Sequence, residues 1–448
     1  MSVRAMRWVA LAALGLAQAW SPSLSAQEIG DKLVVVTSFP KDLTNVFKEA
    51  FEKKYPGMTV EMLKKKTTAG VKYIQETASN NTSDIFWASA PDAFEVLKGD
   101  GLLAKYEVKA TGIPDKVGVF PINDPDGYYK GFAASGYGFM WNTRYLKAKK
   151  LPEPAEWEDL AKPVYFGHVG MSAPSRSGTT HLTVETVLQG LGWEDGWALW
   201  KRIGGNLKTV TERSFGVPSG VNSGDFGIGI VIDFFGFSSK ASGYPVEFRY
   251  PSTTTLVPAN IAIVANAPHP EAAAAFIEFV LSPEGQRLLL DPKIRRLPVR
   301  PEIYAEAPDL PNPFEGDIGA SVAFDVKKSK ARYNLVNSLF DVMITYRLDD
   351  LQAATKALQD AEAALAAKPN EEAAKLVARG WELVAALPID EAKSLDPEFA
   401  GVFKKKRKKA TDKVTGRQAE VEQEWDDFVR ANYAEAKALA EQALAMVR

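Results

Sequence analysis

The sequence predicts an α/β protein with an all-helical C-terminal region, and three observations predict it. Short β-branched apolar runs alternate with segments of helical spacing from residue 33 to about residue 290. A long glycine-rich and aromatic stretch, Tyr129 to Asn142, interrupts that alternation. From about Ala331 the chain turns Ala-, Glu- and Lys-rich, with apolar residues at a 3.6-residue period.

The elements follow in order. Leu33 to Ser38 (LVVVTS) reads as a buried strand. Asp42 to Lys54 places Leu43, Val46, Phe47, Ala50 and Phe51 on one helical face, and Tyr55-Pro56-Gly57 stops it. Met58 to Leu63 is a second strand, Thr68 to Ser79 a second helix, Asp84 to Ala88 a third strand and Pro91 to Lys98 a third helix. Such alternation argues for a mostly parallel sheet covered by helices on both faces. Tyr129 to Asn142 is long enough to pass from one lobe to another. A second set of strands and helices runs to about Glu247, with helices at His181 to Leu191 and Trp193 to Arg202 and an apolar run from Ile228 to Phe235. Pro258 to Ala265 is a further strand and Glu271 to Leu281 a further helix, with Ser282 capping the next. Residues 349–367, 371–386 and 418–446 are the C-terminal helices, which Trp381, Trp425 and Phe428 are expected to dock on a core.

Composition narrows the class. The chain has 448 residues, 46% of them apolar and 25% charged, with a formal net charge of −2. That is room for two or three domains, and it gives no sign of a nucleic-acid partner. Arg4 and Arg7 precede an apolar stretch, Trp8 to Ala17, and small residues end at Ala26. This is the pattern of a secretory signal peptide cleaved near Ala26, too short to span a bilayer. Its removal leaves a charge of −4. There is no cysteine, which excludes disulfides, thiolate metal sites, a Cys nucleophile and an N-terminal lipid anchor. The expected location is the periplasm. The basic run Lys404 to Lys409 is either a contact for anionic lipid or an acidic partner, or a solvated face.

The most informative polar stretch is Ser172 to Glu185 (SAPSRSGTTHLTVE), a loop that leads into an amphipathic helix. The first turn of a helix carries unpaired N–H groups and partial positive charge. Ser175, Ser177, Gly178, Thr179 and Thr180 supply donors or caps there, and Arg176 and His181 add cationic groups, which suits a phosphate, phosphonate or carboxylate. The same residues also serve as a plain capped helix. His181 and Glu185 lie four apart, as a ligand-contacting pair or as an intrahelical ion pair. Thr37 and Ser38, Thr67 and Thr68, and Ser89 follow three predicted strands, where ligands collect in a parallel sheet, although turn chemistry alone also places such residues. Ser135 lies on the crossover, and Asp233 ends an apolar run as a helix cap or a ligand contact.

Catalysis is not expected. There is no G-x-S-x-G elbow, and the glycines at 224–229 match neither a P-loop nor a dinucleotide fingerprint. A Ser177–His181 hydrolase lacks an obvious acid to orient the imidazole. Three histidines, His168, His181 and His269, make a metal site improbable on ligand supply, and no cofactor is expected.

Several segments carry a resemblance: LVVVTSFP (33–40), SDIFWASAPDAFEVLKGDGLL (83–103), APSRSGTTH (173–181), ETVLQGLGWEDGWALWKRIGGN (185–206), FGIGIVIDFF (226–235) and HPEAAAAFIEFVLSPEGQRLL (269–289). Together they are similar to bacterial periplasmic solute-binding proteins of the type II fold, in the group of ferric-iron, sugar-phosphate, phosphoglycerate and phosphonate binders. Residues 331–351 resemble the C-terminal part of phosphoglycerate-transport regulatory proteins. The resemblance implies lobe 1 at 27–133 and 253–305, lobe 2 at 134–252, a helical region at 306–448, and closure of the lobes on a solute. It implies a monomer that serves an inner-membrane ABC permease or a membrane histidine kinase. It implies that Ser175, Ser177, Thr179 and Thr180 hold a phosphate, that Arg176 and His181 balance its charge, and that Asp233 and Glu185 read the organic part. Iron-binding relatives place adjacent tyrosines where Phe234 and Phe235 stand here. Phenyl rings offer a ferric ion no oxygen, which weighs against iron.

Overall fold

A computed structural model describes residues 29–316, 318–403 and 414–447. The predicted signal peptide and the run Lys404 to Lys409 lie outside them.

Thirteen strands are present among the described residues: β1 (Lys32–Thr37), β2 (Thr59–Lys64), β3 (Ile85–Ala88), the short β4 (Leu103–Ala104), β5 (Lys116–Val117) and β6 (Phe120–Pro121), then β7 (Lys130–Asn142), β8 (Val169–Ser172), β9 (Leu207–Thr211), β10 (Ile228–Ile232), β11 (Val246–Arg249), β12 (Leu256–Val264) and β13 (Leu297–Pro298). Eight of them form the path β2-β1-β3-β12-β7-β10-β8-β9, with β4 paired to β12, β11 and β13 paired to β7, and β5 and β6 forming a separate pair. β1 pairs in parallel with β2 and β3, and β8 in parallel with β9 and β10. The strands that join these two parallel sets, β7 and β12, run antiparallel to their neighbours.

β7 explains how one sheet serves two lobes. Its residues from Lys130 to Gly136 pair with β12, and its residues from Tyr137 to Trp141 pair with β10. The stretch that interrupts the alternation in the sequence is thus a single buried strand that changes partners at Gly136 and Tyr137. Glycine is required here by space. A Cβ on Gly136 would lie 2.7 Å from the Tyr250 ring, and one on Gly138 would lie 2.1 Å from the Arg249 carbonyl.

Helices start where strand ends release the chain. α1 (Lys41–Lys54) and α2 (Thr67–Thr77) follow β1 and β2, and α3 (Pro91–Gly99) follows β3. In the second lobe α4 (Gly178–Leu191) and α5 (Trp193–Gly205) follow β8, and α6 (Asp233–Ala241) follows β10. α4 begins three residues earlier than the apolar period indicates, because Ser177 caps it by accepting from the Thr180 N–H at 3.2 Å. The predicted cap at Ser282 is present too, accepting from the Gly285 N–H at 3.1 Å.

The C-terminal helices extend the core of the second lobe. Trp157, Trp193, Trp197 and Trp200 of that lobe share one buried cluster with residues of α7 (Val326–Phe340), of the helices Leu348–Ala367 and Glu371–Ala385, and of the last helix, Arg417–Val447. Burying one such aromatic side chain contributes about 1.5–3 kcal/mol. Trp425 is buried in this cluster, while Trp381 and Phe428 are half-buried against it. No described helix is long and apolar enough to cross a membrane.

Candidate functional site

The two lobes meet along a cleft that encloses about 520 Å³, part of it open to solvent. One wall is Ser38, Phe39, Pro40, Lys64, Thr67, Ser89 and Arg296; the other is Arg176, Ser177, Gly178, Thr179, Arg213, Ser214, Phe215, Phe234 and Phe235. The lobes are closed on each other. Ser89 Oγ lies 3.4 Å from Thr179 Oγ1, and Lys66 bridges to Glu212 at 3.2 Å. Gly178 is packed so tightly that a Cβ there would lie 3.0 Å from Ala90 Cβ and 3.3 Å from Thr67 Oγ1.

Topology concentrates positive potential here. α1, α2, α4 and α6 all begin at residues of this lining or directly beside it, so their first turns converge on one space. Each brings N–H groups without an intrahelical acceptor and the positive end of its dipole. Lys64, Arg176, Arg213 and Arg296 add four cationic side chains, while no carboxylate lines the cleft among the described residues. Burial lowers the Lys64 ammonium below its ordinary pKa, and the nearby Arg213 lowers it further. Arg213 is itself lowered by burial. Arg296, 1% exposed, is brought down to about 9, again chiefly by burial. Cations gathered on a cleft with no carboxylate in its described lining favour an anion as the partner, with Asp42 and Glu212 acting on Lys64 and Arg213 from outside that lining.

Of the residues singled out in the sequence, Ser38, Thr67, Ser89, Arg176, Ser177, Gly178 and Thr179 line the cleft. The others do not. Thr37 is buried and accepts from the Phe39 N–H at 3.1 Å. Thr68 sits half-buried in the first turn of α2, outside the lining. Ser135 is buried inside β7. Ser175 turns away to the buried carboxyl of Asp341. The hydroxyl of Thr180 pairs with that of Ser172.

His181, Glu185 and Asp233 are likewise held by the fold. His181 is fully buried, its Nδ1 2.8 Å from Asn337 Oδ1 and its Nε2 3.0 Å from Ser329 Oγ, both on α7. Glu185 takes two hydrogen bonds of 2.9 Å from Arg332 on the same helix. The pair expected on one helix face is therefore two separate attachments of α4 to α7. Asp233 accepts from the N–H groups of Gly136 at 2.6 Å and Phe234 at 2.7 Å, and from Tyr250 at 2.8 Å. Burial raises its carboxyl to about 6.

Lys64, Arg213 and Arg296 enter the cleft without having been singled out. Lys64 opens a Lys-Lys-Lys run directly before Thr67, and Arg213 stands beside Ser214 after β9, so both had a local signal of cation next to hydroxyl. Arg296 had none, because its burial comes from tertiary packing.

The geometry of two lobes joined by exchanged strands, with a polar cleft between them, agrees with comparison to known proteins. Residues 80–317 match the family model described as bacterial extracellular solute-binding protein. The phosphoglycerate transport regulatory protein PgtC of Salmonella typhimurium is 32% identical over 383 residues, covering 85% of this chain and 92% of that protein. The chain belongs to the bacterial extracellular solute-binding proteins. Among solved structures, the periplasmic binding protein AfuA of Actinobacillus pleuropneumoniae, with exogenous fructose-6-phosphate bound, shares the fold. Its TM-score is 0.56 at 21% identity, over 60% of this chain and 85% of AfuA. The apo ferric ion-binding protein A of Pasteurella haemolytica gives a TM-score of 0.57 at 17% identity, over 69% and 97% of the two chains. This solute-binding protein thus has the type II periplasmic-binding-protein fold, is periplasmic or extracellular, and is a binding protein rather than an enzyme.

Proposed function

We propose that this solute-binding protein captures a small metabolite bearing a phosphate ester or phosphonate between its lobes, and that the closed form is read by a membrane partner. The observation that carries the reading is a cleft with Lys64, Arg176, Arg213 and Arg296 on its walls and no carboxylate among its described lining residues. The phosphoryl group sits at the start of α4, where the N–H groups of Gly178 and Thr179, the hydroxyls of Ser177 and Thr179, and Arg176 and Arg213 act together. Ser38, Thr67 and Ser89 close from the other lobe. The same charge count disfavours a ferric ion, which four cations would repel, beside Phe234 and Phe235 that have no oxygen to offer it.

The partner is either an ABC permease or a sensor histidine kinase, and the sensory reading has the better support. The similar Salmonella protein is named a transport regulatory protein, and the likeness to it spans nearly all of both chains.

A thermal-shift and calorimetric panel of sugar phosphates, phosphoglycerates, aminophosphonates and their unphosphorylated parents tests the ligand. The reading predicts micromolar or tighter binding of a phosphorylated member and none of its parent. Stabilisation by a neutral sugar or by ferric ion alone overturns it. For the partner, ligand-dependent autophosphorylation of a co-encoded kinase in vesicles supports sensing, and ligand uptake through a co-encoded permease supports transport.

A further inference from the structure

The first turns of α3 and α4 meet beside the cleft. Ser89, just before α3, lies against Thr179 of α4, and Ala90 lies against Gly178. A little further along each helix stand Asp92 and His181, both with fully buried side chains, the imidazole Nε2 3.4 Å from the carboxyl Oδ2. Parting the lobes at Ser89 and Thr179 therefore also parts Asp92 from His181.

α7 closes over this junction. Ser329 donates from Oγ to Asp92 Oδ2 at 3.1 Å and lies 3.0 Å from His181 Nε2. Lys330 donates from Nζ to the Glu95 carbonyl of α3 at 2.6 Å. The fit is close, since a Cβ on Gly99 of α3 would stand 2.8 Å from that ammonium. Phe324, just ahead of α7, is buried in one cluster with Phe94 of α3 and Leu182 of α4.

The attachments to the two lobes are unequal. Toward the second lobe, Leu335, Val336, Leu339 and Phe340 are buried in the cluster of Trp193, Trp197 and Trp200, and Arg332 holds Glu185 through two hydrogen bonds. Asp325 adds two more through its backbone, to Gln189 of α4 at 2.7 and 3.2 Å. Toward the first lobe, the polar contacts of α7 are those of Ser329 and Lys330. A buried apolar face with a paired ion bridge outweighs two hydrogen bonds that water can replace. Burial also holds the Asp92 carboxyl above its ordinary range, so opening returns to water a group that gains by it.

We infer that α7 is a clasp: carried by the second lobe, it grips Asp92 and Glu95 of the first lobe only while the cleft is closed. Ser329 and Lys330 are then positioning residues for solute capture, although neither lines the cleft. They stabilise the closed form and so raise the affinity for every solute by one factor, without choosing among solutes. The inference rests on the reading that the lobes close on a solute, and not on which solute it is.

The chain has no cysteine, so thiols placed at the exposed Lys53 of the first lobe and Lys149 of the second carry spin labels whose separation reports opening. Distances are recorded for the labelled chain alone and with Lys330→Met, Ser329→Ala or Lys328→Met, without solute and with 3-phosphoglycerate or fructose 6-phosphate. Lys328 is the control, because its ammonium pairs with Glu391 of the C-terminal region at 3.2 Å. Lys330→Met and Ser329→Ala should shift the distribution away from the closed-form distance. They should also weaken each phosphate ester that binds by a common factor, about three- to tenfold by calorimetry. Lys328→Met should match the wild type in both. If Lys330→Met and Ser329→Ala match Lys328→Met in distance and affinity, or weaken one ester and not another, the clasp is overturned. Labels on the otherwise unchanged chain that keep one distance with both esters overturn closure on a phosphate ester, the reading beneath the clasp.

Discussion

The two faces of α4 make opposite use of charge. Its first turn opens on a cleft whose described lining has four cations and no carboxylate. Its rear face, one to two turns further on, is sealed against α7, where Arg332 donates to Glu185 twice and to Glu391 once, each at 2.9 Å. Beside that pair, Ser329 joins His181 to Asp92 of the first lobe, donating to the carboxylate at 3.1 Å. α7 therefore attaches to both lobes. The difference teaches how to tell structure from function among buried polar groups. Those that find partners inside the chain hold it together.

Breaking the rear face should have the largest effect. Arg332→Ala leaves Glu185 buried without its partner and is expected to cost about 3–5 kcal/mol of stability. A lower denaturant midpoint at unchanged slope measures this, with selectivity between phosphorylated and unphosphorylated ligands retained. Loss of ligand selectivity with unchanged stability would erase the distinction between the faces.

The packing of α5 against the C-terminal helices contains a buried cation with no carboxylate partner among the described residues. Lys201 is fully buried, its ammonium donates to the Ala386 carbonyl, and burial lowers its pKa to about 7. The unfolded lysine titrates near 10.4. Between about pH 7 and 10 the unfolded chain holds a proton that the folded chain lacks, so stability should rise with pH across this window, by an amount on the order of a few kcal/mol. Lys201→Met should flatten that slope in a pH series of chemical melts. An unchanged slope would mean that Lys201 keeps its charge when buried.

On the cleft face the expected pattern reverses. Arg176→Gln should leave the ligand-free protein within about 0.5 kcal/mol of wild type. It should weaken binding of a phosphate ester by about 1.5–3 kcal/mol, roughly ten- to a hundredfold by calorimetry. The smallest effect belongs to the residue that serves both purposes. Ser177→Ala removes the cap of α4 and should cost about 1 kcal/mol in a thermal melt, together with some affinity. Lost stability with unchanged affinity would assign Ser177 to capping alone.

The fold was legible because its elements are local. The β-branched runs, the stop at Tyr55-Pro56-Gly57 and the change of composition near Ala331 correspond to β1, α1 and the C-terminal helices with shifts of a few residues. The change of partners along β7 was legible as an anomaly, since only a strand shared by two lobes needs such length and such glycines. The candidate site was legible in part. Hydroxyls beside strand ends and at the start of α4 are local chemistry, and Ser38, Thr67, Ser89 and residues 176–179 do line the cleft. His181 and Glu185 carried the same local promise, but their partners stand some 150 residues away on α7, and no spacing within one helix announces them. Arg296 is the converse, a loop residue whose meaning comes from two rings brought in from different lobes.

The central claim, that the cleft is an anion receptor at the start of α4, is tested most directly by a crystal structure of the protein with a bound phosphate ester. The account predicts the phosphoryl oxygens within hydrogen-bond reach of the Gly178 and Thr179 N–H groups and the Arg176 guanidinium, between closed lobes. A phosphoryl group bound elsewhere, or a neutral ligand or metal ion filling the cleft in its place, would contradict it.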